Sequence, residues 1–167
     1  FFRRRGEVDR AIRIHQNLIA NPNLTSKQRS QALLELSQDY LRAGVYDRAE
    51  QLLIEITDKM GEQLDVSLRH LKDIYEREKD WEKAIKVAVR LEAVSKQSMR
   101  KEIAHYYCEL AEMAWSKGKI RLAASDLKKA LRADPGCARA SLLQGTYEKK
   151  LGHYHEAIHA YLRILDQ

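Results

Sequence analysis

The sequence predicts an all-α fold, a superhelical solenoid of antiparallel helix pairs. Three observations point there. A short turn-like hexad recurs along the chain at nearly constant spacing. Apolar residues upstream of each turn fall three and four apart, on one helical face. Good helix formers dominate a chain that is 44% hydrophobic and 32% charged, with only 7 Gly and 2 Pro in 167 residues. No stretch alternates apolar and polar residues for long enough to read as a half-buried strand.

The hexads are Gly6–Ala11, Gly44–Ala49, Lys79–Ala84, Gly118–Ala123 and Gly152–Ala157, and their first residues are 38, 35, 39 and 34 apart. Those intervals sit at or just above the period of about 34 of the tetratricopeptide repeat (TPR). The opening glycine suits a left-handed residue ending the first helix of a hairpin. The next-but-one residue (Val8, Tyr46, Trp81, Ile120, Tyr154) is expected to wedge between the two helices. The closing alanine is small because the helices approach closely there. Lys79 replaces glycine in the third hexad, so that turn is expected to be less ideal.

Upstream, Leu33, Leu36 and Tyr40 precede the second turn, and Leu68, Leu71 and Tyr75 precede the third at identical offsets. Thr25 with Gln28 reads as a capping box, and Pro135 stops a helix. The expected helices run near 8–20, 26–43, 46–60, 62–78, 81–95, 98–117, 120–133, 137–151 and 154–166. They divide the chain into a partial repeat 1–22 and repeats at about 26–60, 62–95, 98–135 and 137–167. Phe1 and Phe2 stand just before a turn, so the chain is expected to be an excerpt of a longer array with uncapped ends.

The net charge of +6 is spread among interspersed acids, and no basic run exceeds Arg3–Arg5. That pattern fits a solvated surface, and no nucleic-acid partner is expected. No apolar stretch approaches the about 20 residues that cross a bilayer, so this segment is not expected to insert into a membrane. Cys108 and Cys137 are too few for a disulfide framework or a structural zinc site.

In such an array the first helices line a concave groove, and peptide binding is the expected activity. Repeat geometry selects Gln31, Leu34, Gln38, Leu41 and Arg42 in the first full repeat. In the second it selects Val66, Arg69, Asp73, Glu76 and Arg77. His105, Cys108, Glu112, Trp115 and Ser116 follow, then Arg139, Leu142, Thr146, Lys149 and Lys150. Six basic residues outnumber three acids on this wall, and arginine and tryptophan carry much interface energy. The groove is expected to hold an extended or helical segment of some acidic character. The candidate partner-binding residues are Arg42, Arg69, Asp73, Arg77, His105, Glu112, Trp115, Arg139 and Lys149. The competing reading packs Trp115 beneath a neighbouring helix and leaves the charges merely solvated.

Two constellations resemble chemistry. His155-Glu156-Ala157-Ile158-His159 matches H-E-x-x-H, in which histidines one turn apart bind zinc. Ala157 is already explained by the repeat, and no third ligand follows. His105 and Cys108 share a helix face with Cys137 in a later repeat, but a fourth ligand is lacking. The chain is expected not to be an enzyme, and to hold no metal or cofactor of its own.

Three segments go beyond the generic repeat: Arg5–Ile19, Tyr46–Glu50 and the run Glu102–Ala111. They resemble the lipopolysaccharide assembly protein B family, and the resemblance runs in register through the whole chain. It implies an adaptor at the cytoplasmic face of the Gram-negative inner membrane, presenting the lipid A pathway deacetylase to the membrane protease FtsH. An inner-membrane regulator restrains that adaptor. The resemblance also implies a membrane anchor and a rubredoxin-like iron or zinc module outside these residues. The alternative is a generic co-chaperone or assembly scaffold, although Leu34 and Gln38 stand where tail-clamping grooves place Lys and Asn. Self-association is left open.

Overall fold

The computed structural model describes residues 2–59 and 61–166, with side chains from Arg4 onward; Phe1, Met60 and Gln167 lie outside the described residues. Those residues form nine α-helices and no strand. They are α1 (Phe2–Ile19), α2 (Ser26–Ala43), α3 (Tyr46–Asp58), α4 (Leu64–Glu78), α5 (Trp81–Ser95), α6 (Arg100–Ser116), α7 (Ile120–Ala133), α8 (Ala138–Lys150) and α9 (Tyr154–Leu165). The chain divides into two compact units, Phe1–Glu78 and Lys79–Gln167.

Helix ends follow local chemistry. Thr25 Oγ1 accepts from the Gln28 amide at 3.2 Å, while Gln28 Oε1 accepts from the Thr25 amide at 3.0 Å, so both halves of the capping box form. Asp80 caps α5 by accepting from the Lys83 amide. Gly44, Gly118 and Gly152 take positive φ, each closing a helix with the same pair of backbone bonds, such as Gly44 to Leu41 O and Val45 to Tyr40 O.

Lys79 adopts φ 57° where the other turns have glycine. Its Cβ costs about 1 kcal/mol or more in that conformation, partly offset by the lower entropy of its unfolded chain. Lys79→Gly is therefore expected to stabilise the protein by up to about 1 kcal/mol in urea melts. An unchanged or lowered midpoint would show the lysine is not strained there.

The first unit stacks α1 on α2, α2 on α3 and α3 on α4. Its core takes Leu33, Leu36 and Tyr40 from α2, Leu53 and Ile56 from α3, and Leu68, Leu71 and Ile74 from α4. One sequence expectation fails here. No turn forms at Gly6, because α1 runs through it as a single helix. A turn is worth its lost helical bonds only where it lets two helices bury apolar surface, and Arg4, Arg5, Gly6 and Glu7 are all exposed.

In the second unit α6 packs against α5, α7 and α8, and α8 against α9. The core is alanine-rich: Ala104, Ala111, Ala114, Ala123, Ala130 and Ala140 surround Cys108 and Leu127. Small side chains let these helices approach closely. Gly145 carries this furthest, since any Cβ there would run into the Tyr161 ring. The closing alanines Ala49, Ala84, Ala123 and Ala157 are buried as expected. The wedge positions behave unequally. Trp81 is buried, but Ile120 is 41% exposed and Tyr154 64%, so neither wedges between helices.

Candidate functional site

Helix periodicity places His105, Glu109 and Glu112 on one face of α6, and α8 lies beside it. Arg139, from the first turn of α8, reaches across. Its Nη1 donates to His105 Nδ1 at 2.8 Å, and its Nη2 donates to Glu109 Oε1 at 2.9 Å and Glu112 Oε1 at 3.0 Å. Burial works against the guanidinium charge, but the bonds to Glu112 and Glu109 outweigh it and raise the Arg139 pKa above its ordinary value. Accepting from an arginine fixes His105 as the Nε2–H tautomer while the bond stands. The fork is thus held in place before any partner arrives, which lowers the entropy cost of binding.

One turn along, Trp115 lies flat on Tyr147, with centroids 4.0 Å apart and rings 1° from parallel. Lys150 Nζ stands 5.9 Å over the Trp115 ring. Leu142 is 52% exposed, and Lys149 is exposed at the C-terminal end of α8. The second unit therefore brings His105, Glu112 and Arg139 into contact, with Trp115 in an aromatic stack and Lys149 at the helix end.

The four candidates in the first unit are engaged differently. Arg42 Nη2 donates to Asp39 Oδ1 at 2.6 Å, and Arg69 Nε donates to Asp65 Oδ1 at 2.6 Å. Arg77 lies over the Tyr46 ring and donates to its hydroxyl at 3.2 Å. Asp73 shares a small recess with Leu41, Tyr46, His70 and Arg77. Leu34 and Cys108, both expected on the wall, are only 5% and 0% exposed and cannot touch a partner. They are on the buried side because their helices turn that face to a neighbouring helix.

Sequence reasoning missed Glu109, the third acceptor of Arg139, and the buried carboxylate Asp39. Asp39, 1% exposed, lies 2.5 Å from His15 Nδ1, whose Nε2 is 3.0 Å from Glu35. The only available signal for Glu109 was its spacing, four residues after His105 and three before Glu112.

Among the described residues, neither constellation that resembled chemistry gathers three ligand atoms within 4.8 Å of one another. His155 and His159 stand edge to face, 4.7 Å between ring centroids, on the exposed side of α9. Among the described residues, only Asp47, Glu50 and Glu78 bring three such ligand atoms within 4.8 Å of one another. Glu50 already accepts from the Tyr75 hydroxyl at 2.9 Å. Cys108 is sealed in the alanine core, so the residues present do not fit a rubredoxin-like module. Burial first, then the neighbouring Cys137, pushes the Cys108 thiol up to about 12. At pH 8 that thiol stays almost wholly protonated. Iodoacetamide is expected to alkylate Cys137 in the native protein and Cys108 only after denaturation, as read by mass spectrometry. Equal native labelling would contradict the buried placement.

No helix among the described residues is long and apolar enough to cross a membrane.

The tetratricopeptide-repeat pattern matches residues 108–167. The solved structure of MamA AMB-1 superposes with a TM-score of 0.51 at 14% identity, covering 96% of this chain and 82% of that one, which speaks to fold alone. The chain has a fold of the tetratricopeptide-repeat class, with the repeat pattern matched in its second unit. Within that class it is a relative of lipopolysaccharide assembly protein B. It is 42% identical to the protein of Escherichia coli (strain K12) over 166 residues, 99% of this chain and 42% of that one. To the Haemophilus influenzae protein it is 38% identical over 99% of this chain and 41% of that one. The chain thus spans about two-fifths of the length of the curated relatives it matches.

Proposed function

We propose that this chain is a stretch of the repeat array of an adaptor in lipopolysaccharide assembly. It grips the lipid A pathway deacetylase on the α6–α8 wall and presents it to the membrane protease FtsH at the cytoplasmic face of the inner membrane. The likeness to lipopolysaccharide assembly protein B supports the pathway.

The observation that carries the binding reading is the Arg139 cluster beside the Trp115–Tyr147 stack. A pre-aligned guanidinium next to a partly buried tryptophan is the combination that dominates interface energies. A partner carboxylate gains a charge-assisted bond there by displacing Glu112, whose side chain is 45% exposed.

The test is affinity of the full-length adaptor for the purified deacetylase. Arg139→Glu combined with Leu142→Glu is expected to weaken it by at least about a hundredfold, roughly 2.7 kcal/mol. Cells carrying the double variant should accumulate deacetylase. Unchanged affinity in a folded double variant would remove this wall from the mechanism.

A further inference from the structure

The opposite side of α6 is also uncovered. α5 and α7 both pack on α6 but make no comparable contact with each other, which leaves a trough between them. Its floor is apolar, with Ile85 from α5, Tyr107 and Leu110 from α6 and Leu122 from α7, and its volume is about 500 Å³. A second recess of about 350 Å³ shares Tyr107 and Lys129 and continues along α6 to Ile103. From Ile103 to Lys117 the helix rises about 21 Å. Tyr107 and Leu110 lie about half a turn of the helix from His105 and Glu112, so this face is separate from the Arg139 wall.

One acid in the trough has no hydrogen-bond or ion-pair partner among the described residues. Asp126, on α7, is 5% exposed and lines the trough. Burial raises its pKa, with Lys129 easing the charge and Glu82 opposing it. Its carboxylate oxygens still reach the solvent of the trough, and a ligand that supplies a cationic donor there forms a charge-assisted bond that no protein group now makes. Exposed Lys86, Lys117, Lys119 and Lys129 stand around the rim, with exposed Glu82 beside Asp126 as the second acid of the lining.

We infer that this trough is a second docking surface, which takes a short polypeptide segment carrying apolar side chains and one lysine or arginine. The apolar side chains lie along Tyr107, Leu110 and Leu122, and the basic group enters toward Asp126. Acidic residues flanking it meet the rim lysines. The open length, enough for about six extended residues at about 3.3 Å each, suits a chain segment rather than an enclosed small molecule. The inference goes beyond the adaptor reading, because it gives α6 a binding role on each side.

The probe is a displayed library of random short peptides, panned on the whole 167-residue chain. Enriched peptides are expected to combine apolar positions with a single Lys or Arg. Asp126→Asn and Leu122→Glu should each weaken them by at least about tenfold. Arg139→Ala should leave them bound, which separates this surface from the deacetylase wall. Asp126→Asn should melt at or above the temperature of the unaltered protein. The inference is overturned by any of four results: no enrichment, peptides lacking a basic residue, binding indifferent to Asp126→Asn, or binding lost in Arg139→Ala. A lowered melting temperature for Asp126→Asn would also overturn it, by showing that the carboxylate serves the fold.

Discussion

Trp81→Ala is expected to destabilise the second unit by about 3–5 kcal/mol, the range for deleting a buried large aromatic. Trp81 is 9% exposed, and its ring stacks on Tyr106 with centroids 5.7 Å apart and meets His105 edge-on at 6.1 Å. Truncation would open a cavity beside Ala84 and Tyr106 at the start of α5, where the surrounding helices cannot fully collapse. Tyr154 holds the same place in its hexad but is 64% exposed. Tyr154→Ala is expected to change stability by less than about 0.5 kcal/mol. Denaturant melts followed by Trp115 fluorescence read both variants, since Trp81 and Trp115 are the chain's two tryptophans. Equal losses would mean that both positions wedge alike and that the exposed placement of Tyr154 is wrong.

Asp39→Ala comes next, with an expected loss of about 3 kcal/mol from the first unit. The carboxylate holds α1 through His15 and its own helix through Arg42, and it is almost fully buried. Gln16 Nε2 adds a bond to the Tyr40 hydroxyl at 2.9 Å along the same seam. Removing Asp39 leaves His15, only 20% exposed, facing Glu35 alone. Arg42 is 64% exposed and can turn to water, so Arg42→Ala should cost less than about 1 kcal/mol. Hydrogen exchange checks this directly. Amides of α1 should lose protection in Asp39→Ala and keep it in Arg42→Ala. Protection retained in both would show that α1 is held by apolar packing alone.

The parts of the fold legible in the sequence were those set by neighbours along the chain. The Thr25–Gln28 box, the left-handed glycines at 44, 118 and 152 and the strained Lys79 each depend on a few adjacent residues. The closing alanines could be read because every repeat demands the same close approach. Gly6 misled for the same reason. Its hexad is locally complete, but a turn also needs two helices to join, and α1 continues instead.

The candidate site was harder to read because its chemistry joins residues 27 to 34 apart, across helices. Helical offsets could place Arg139 and His105 on a wall, yet nothing local says that one guanidinium binds His105, Glu109 and Glu112 together. The same offsets put Leu34 and Cys108 on the wall, where packing between helices buries them. Asp126 was not legible at all, since a lone aspartate among lysines reads as surface until α5, α6 and α7 enclose it.

Photo-crosslinking bears most directly on where the partner is held. A benzophenone amino acid at Leu142, on the Arg139 wall, is placed in the full-length adaptor and compared with one at Lys128, exposed on α7. With the deacetylase present, the Leu142 position should capture it and Lys128 should not, and Arg139→Glu should abolish the product. Capture at Lys128 with none at Leu142 would contradict a binding wall on α6 and α8.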